Sequence, residues 1–473
     1  MQPASPSVVS PARGAGPVAL RGMFALLLAL LVSAVMNAQP TAAGAAQPTK
    51  KETDKKEPEK KEYKWPTEIN GKNIDAVMKD LTDLDPVNRE YAARTLPNFG
   101  PAAQKEPVSK LLLKRMKPAF EADPGVRFAV YTAVGSIAFD NNNDNTEALR
   151  ILAEVVDLAP SGSSSRYNAV QTIAMFGPRG YETITKLTGN AAKDDAHETR
   201  RVIASALGRV ASHPETGPNM RAMRSLADHF SRDPSAAVRM EALQSLMLLG
   251  PPWADVKKKD AKENPPIKVK EAEEIVKFMK VRVGDPKLKT TGLEKDKQVE
   301  IWARLVLMRF DPKEINEDNL EAFAKHLSGG DIGVKVQALQ AIAMMGELAG
   351  KKVDSVARLL EDKALPMQLT LVTVQTLAAM GAGAKPAIPK LKEFLTEVNK
   401  TIDKLKDEEG KMKTEMNKIA ITDVEKKKEA ENALKGKEYE RKTGEEVVKL
   451  IESVIKHIDA AKPTSPSETP KKP

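Results

Sequence analysis

The segment Asp85-Pro86-Val87-Asn88-Arg89-Glu90-Tyr91-Ala92-Ala93-Arg94-Thr95-Leu96-Pro97-Asn98-Phe99-Gly100 carries a pattern that recurs along the chain. Counted from Arg89, the residues Ala92, Ala93, Leu96, Phe99 and Gly100 stand at offsets 3, 4, 7, 10 and 11. Apolar residues at i, i+3, i+4 and i+7 mark one face of an α-helix. A closing Gly suits a left-handed helix stop, because it has no Cβ to clash there. Asp85 can cap the helix by accepting backbone N–H bonds, and Pro86 suits the first helical position.

The same offsets return in Arg166, Ala169, Val170, Ile173, Phe176, Gly177 and in Arg239, Ala242, Leu243, Leu246, Leu249, Gly250. They return again in Lys335, Ala338, Leu339, Ile342, Met345, Gly346. Weaker copies start at Arg127 and Arg200, and two more replace the basic residue with Gln298 and Thr370. The spacing is about 37 residues, apart from one longer interval between 239 and 298. That interval holds an insertion, Ala254–Pro266, and a second loose stretch around Gly284–Gly292.

Ahead of each striped helix the sequence predicts a second, shorter amphipathic helix: Ile74–Leu81, Val108–Phe120, Met220–Phe230, Leu320–Leu327 and Val353–Leu360. The unit is therefore helix–turn–helix. One such pair cannot bury its apolar face alone, whereas stacked neighbours bury a continuous core. The expected fold class is all-α, an α-solenoid of about eight to nine helical pairs. No sustained period-2 pattern supports strands. Whether the solenoid continues through the long interval stays open at this level.

The turns Asp85-Pro86-Val87-Asn88-Arg89, Asp123-Pro124-Gly125-Val126-Arg127 and Asp233-Pro234-Ser235-Ala236-Ala237-Val238-Arg239, with the Ala-hydrophobic pair and terminal Gly, resemble HEAT repeats of the armadillo/HEAT superfamily. Tetratricopeptide repeats, at about 34 residues, are the runner-up; the Asp-Pro starts argue against them. The resemblance implies a structural ladder of Asp and basic residues between adjacent repeats. It would involve Asp85, Arg89, Asp123, Arg127, Arg166, Arg200, Asp233, Arg239, Asp331 and Lys335.

Residues 1–38 read as a secretory signal peptide. Arg13 and Arg21 are the only charges, the apolar run Met23–Met36 is too short to span a bilayer, and small residues follow it. Residues 39–65 are Ala/Pro-rich and then Lys/Glu-rich, a composition expected to stay disordered. The solenoid is assigned to 66–390. From Leu391 the residues Leu395, Val398, Ile402, Leu405, Glu409, Met412, Met416 and Ile419 step alternately by four and three, a coiled-coil-like heptad run. Residues 391–443 are therefore expected as a charged helical hairpin, 444–461 as a capping helix and 462–473 as a disordered tail. Residues 391–436 are a possible self-association arm.

The chain has 473 residues and no Cys, which excludes disulfides, thiolate nucleophiles and cysteine-ligated metals. Aromatics are 4% of the chain, too few for base-stacking platforms. No nucleophile elbow, phosphate loop, dinucleotide fingerprint or zinc-protease motif occurs, so neither catalytic nor cofactor-binding residues are assigned. His197-Glu198 is a single His-Glu pair, where a di-iron site of the kind found in one HEAT-like hydroxylase family would need several. Arg201, Arg209, Arg221, Arg224 and Arg232 form a weak candidate binding face. The net charge is +9, from 74 basic and 65 acidic residues. This mild bias, together with the leader, argues against nucleic acid. The expectation is an exported, periplasmic or extracellular, non-enzymatic scaffold for protein partners. The alternative is a polyanion-binding module that takes a cell-surface polymer or nucleic acid on a basic solenoid face.

Overall fold

A computed structural model describes residues 64–213, 217–250, 269–284, 293–362, 365–419 and 423–462. The leader, nearly all of the first linker, the insertion, most of the second loose stretch and the tail beyond 462 lie outside the described residues.

Eighteen α-helices are present among the described residues, and they alternate in role. The first helices of successive pairs are α1 (Ile74–Asp80), α3 (Glu106–Arg115), α5 (Asn142–Leu158), α7 (Ile184–Leu187), α9 (Met220–Arg224), α11 (Val269–Val283), α13 (Glu317–Lys325), α15 (Val353–Ala357) and α17 (Ile388–Met416). The second helices are α2 (Pro86–Thr95), α4 (Pro124–Ser136), α6 (Ser164–Met175), α8 (His197–Val210), α10 (Ala236–Leu249), α12 (Lys297–Phe310), α14 (Ile332–Met344), α16 (Met367–Ala379) and α18 (Val424–Ala460). Each second helix packs on the next, from α2 through to α18. The described residues thus form an all-α solenoid of nine helix pairs.

The closing glycines take the positive φ that other residues avoid: Gly100, Gly177, Gly250, Gly346 and Gly381 have φ of +58°, +56°, +60°, +58° and +54°. Gly100 and Gly250 differ from the expected left-handed helical stop, with ψ of −125° and 178°. Two very short antiparallel strand pairs also occur, Glu68–Ile69 with Lys72–Asn73 and Ser212–His213 with Gly217–Pro218. The first is closed by Asn70-Gly71, both at positive φ, a turn that favours hairpins. Trp65, assigned above to the linker, belongs to the folded body. Its indole lies over Gly100, where an added Cβ would sit 2.1 Å from Cδ2.

The stripes fill the core. Ala92, Leu96, Val130, Ile173, Leu207, Leu246, Ile342 and Leu377 are fully buried. Each large side chain so buried contributes about 1.5–3 kcal/mol. Two core clusters meet at α12: Val299, Ala303, Val306 and Phe310 face the earlier one, and Ile301, Leu305 and Met308 the later. Met247 and Trp302 touch both. The solenoid therefore runs through the long interval, with α11 as the missing first helix of the sixth pair.

The C-terminal hairpin differs from its expected form. A Gly-led bridge, Gly381–Ala387, delivers the chain into α17, as Gly346–Lys352 delivers it into α15. Helix α18 is one unbroken helix across the expected 443/444 boundary. The hairpin is thus the ninth pair, drawn out to 29 and 37 residues. Its heptad residues Leu391, Ile402 and Glu409 are buried against α18. Val447, Ile451, Val454 and Ile458 at the other end of α18 close the core.

Candidate functional site

The basic residue that opens each stripe is held by a repeated geometry. Arg89 Nη1 donates to the carbonyls of Asp83 and Leu84 at 2.9 and 2.8 Å, clamping its own turn. Its Nε and Nη2 donate to Glu121 Oε2 and Oε1 at 2.7 and 2.8 Å, reaching the next turn. Arg200 bonds the Asp194 and Asp195 carbonyls and takes Asp233 at 2.6 and 3.0 Å. Arg239 bonds the Asp233 and Pro234 carbonyls and takes Glu294 at 2.9 and 2.8 Å. Arg166 donates to Asp194 Oδ2 at 2.7 Å and to the Ala159 carbonyl.

The ladder acids sit two residues before a helix cap. Each also accepts the cap residue's N–H: Asp123 on Glu121, Ala196 on Asp194, Ser235 on Asp233 and Asp296 on Glu294. Of the acids assigned from the sequence, only Asp233 pairs with an arginine in this way. Asp85, Asp123 and Asp331 instead cap their own helices, accepting from Val87, from Gly125 and Val126, and from Val334. Glu121, Asp194 and Glu294 were missed, although the acid-x-cap spacing repeats in the sequence. Arg127 bonds the carbonyls of Glu121 and Ala122 but reaches no acid of the next turn, because Ser161 stands where that acid would be. After Gln298 and Lys335 the residues at the matching sequence positions are Gly329 and Ala364, neither of them an acid.

These carboxylates are buried, and burial alone would raise their pKa. For Glu121 the hydrogen bonds from Arg89 and the Asp123 N–H, with the charges of Arg89 and Arg115, outweigh it and hold the pKa below the usual range. Asp233 is lowered against burial by Arg200 and the Ser235 N–H, and Glu294 by Arg239 and the Asp296 N–H. Removing one member of such a buried pair costs about 3–5 kcal/mol, because the other is left uncompensated.

The five arginines of the candidate binding face do not share a face. Arg201 and Arg209 project from α8, in the second-helix layer. Arg221 and Arg224 lie on α9 and Arg232 in the turn after it, in the first-helix layer. Arg221 donates to Thr188 Oγ1 at 2.8 Å, Arg224 pairs with Glu274 at 2.9 Å and Arg232 with Asp228 at 3.0 Å. These exposed pairs are worth about 0–1 kcal/mol each.

Arg201 and Arg209 instead line a groove of about 410 Å³ that crosses α4, α6, α8 and α10. Its apolar walls come from Phe128, Tyr167 and Met175, and Met175 is 42% exposed. Gln171 Nε2 donates to the Tyr167 hydroxyl at 3.0 Å, fixing one wall. Glu241 partners Arg201 at 3.6 Å, whereas Arg209 has no carboxylate partner among the described residues. The helices come close because the facing residues are small. A Cβ on Gly208 would lie 2.7 Å from Ser245 Cβ. The groove thus combines an apolar wall, amide and hydroxyl groups, and the Arg209 guanidinium, which suits binding a peptide segment.

Among the described residues no group of three His, Asp or Glu lies close enough to hold a metal, and no helix is long and apolar enough to cross a membrane. His197 Nδ1 stands 3.2 Å from Glu198 Oε2, both exposed.

No protein-family model matches the sequence, and no curated protein does. Solved structures do match. The chain is similar to an engineered protein at 19% identity, covering 77% of this chain and 88% of that one with a TM-score of 0.34. It is similar to yeast importin-β (Kap95p) at 12% identity, covering 71% and 45% with a TM-score of 0.47. Kap121p bound to Nup53p matches at 15% identity, covering 80% and 44% with a TM-score of 0.36. The match spans less than half the length of either karyopherin. The chain's own geometry sets its fold class: stacked helix pairs, Asp-Pro turns and an arginine ladder make it an all-α solenoid.

Proposed function

We propose that this protein is an exported, non-enzymatic scaffold that holds a segment of a partner protein on its second-helix layer. The groove across α4, α6, α8 and α10 carries this reading, because it joins an apolar wall to the Arg209 guanidinium, which has no carboxylate partner among the described residues, on a preformed surface. A partner segment would place an apolar side chain against Phe128 and Met175 and a carboxylate at Arg209. Export rests on the composition of residues 1–38. The polyanion reading loses support from the division of its five arginines between two layers. Self-association through 391–436 loses support from the heptad seam's burial against α18.

The test is affinity capture from extracytoplasmic extract, with residues 63–473 as bait and washes at low and high salt. Retention of one protein at high salt, lost with Met175→Asp, supports the scaffold. Elution of only salt-labile polymers contradicts it.

A further inference from the structure

A second groove, of about 690 Å³, opens where the elongated ninth pair leaves the body. Its sides are α17, α18 and the turn between α15 and α16. Along α17 the lining runs from Lys390 to Leu405 at intervals of one helical turn. At ~1.5 Å per residue that is about 22 Å, the length of four turns of a helix. Phe394 and Val398 line the floor, with Leu360 and Leu365 opposite. Met367 and Tyr439 stand at the edge, 45% and 68% exposed.

The rim is acidic. Among the described lining residues stand five carboxylates, Glu361, Asp362, Glu393, Glu397 and Glu440, and one lysine, Lys390, which pairs with Glu361 at 2.5 Å. Lys400 and Lys437 reach Glu397 and Glu440 from outside at 2.9 and 3.2 Å.

We infer that this groove binds a lysine- or arginine-rich amphipathic helix of a partner protein. A long apolar trough beside two antiparallel helices lets a third helix bury its apolar stripe. The carboxylates flanking the trough meet basic residues on either side of that stripe. The Lys/Glu-rich residues 50–62 of the chain itself carry few apolar side chains and cannot fill the floor. This site is separate from the groove at Met175.

The test is fluorescence anisotropy on the full-length protein with two 18-residue helical peptides sharing a leucine stripe. One peptide has lysines on its polar face and the other glutamates. The lysine peptide is expected to bind at least tenfold tighter. Met367→Arg, and separately Glu393→Lys with Glu397→Lys, should each weaken it at least tenfold. Glu429→Lys, beyond the groove, and Met175→Asp, in the other groove, should leave it unchanged. Circular dichroism verifies that these exposed substitutions leave the fold intact. Equal binding of the two peptides, or groove variants that bind like the parent, overturns the inference. A dimer in light scattering that Met367→Arg dissolves also overturns it, by giving the groove to a second copy.

Discussion

Arg239 and Glu294 lie 55 positions apart in the chain and share two hydrogen bonds, Nε to Oε2 at 2.9 Å and Nη2 to Oε1 at 2.8 Å. The pair spans the longest interval between repeats, so the ladder closes over the inserted residues. Solenoid stability is close to a sum of repeat and nearest-neighbour terms. This bidentate contact therefore adds to the α10–α12 packing that joins the five helix pairs before the insertion to the four after it.

Arg239→Ala is expected to destabilise that joint by about 3–5 kcal/mol, because Glu294 stays buried beside Arg282 alone. Arg239→Lys should recover little, since one ammonium cannot hold both the turn carbonyls and the carboxylate. Hydrogen exchange in α10 and α12 measures this. Protection equal to that of the parent in both variants would contradict it.

Stability should also fall at low pH. Glu121, Asp233 and Glu294 have folded pKa values below their unfolded ones. Such a group adds stability that is full above its unfolded pKa and is lost as pH falls through the folded pKa. The urea midpoint should hold from pH 7 to about pH 5 and decline below about pH 4. Glu121→Gln should lower the plateau and flatten the decline. A parallel decline in parent and variant would place the acid sensitivity elsewhere.

At Gly208 the close approach of α8 and α10 leaves no room for a side chain. Gly208→Val should cost about 1–3 kcal/mol through collision with Ser245. Thermal unfolding reads this, and an unchanged midpoint would show that the two helices can separate without loss.

In the hairpin, Glu409 is the one polar heptad residue, and Arg441 Nε donates to it at 2.8 Å. Glu409→Ala should destabilise the hairpin. The double change Glu409→Leu with Arg441→Leu should be neutral or stabilising, because it removes the desolvation cost of both ions. Helical circular dichroism during melting compares the three. A double variant weaker than the single one would contradict this account.

The stripes, Gly stops and turn motif made the second helices legible. Each needs only local periodicity and a residue with a unique backbone allowance. The first helices were harder to read, because α7 spans four residues and has no periodic signal. Gly444 read as a break. In α18 it lies inside the helix, because its missing side chain makes room for Ile402 from α17. The ladder acids were hidden because a carboxylate two places before a cap looks like any other turn acid until its arginine is placed. The five arginines seemed to form one cluster because proximity in sequence does not distinguish the two layers of a helix pair.

The central claim is that the second-helix layer holds a partner segment. A photo-crosslinking side chain at position 175, in the groove, and another at 158, exposed at the end of α5 in the other layer, test it directly in extracytoplasmic extract. The account predicts one salt-resistant adduct from position 175 and none from 158. Equal adducts from both positions, or an adduct from 158 alone, would contradict it.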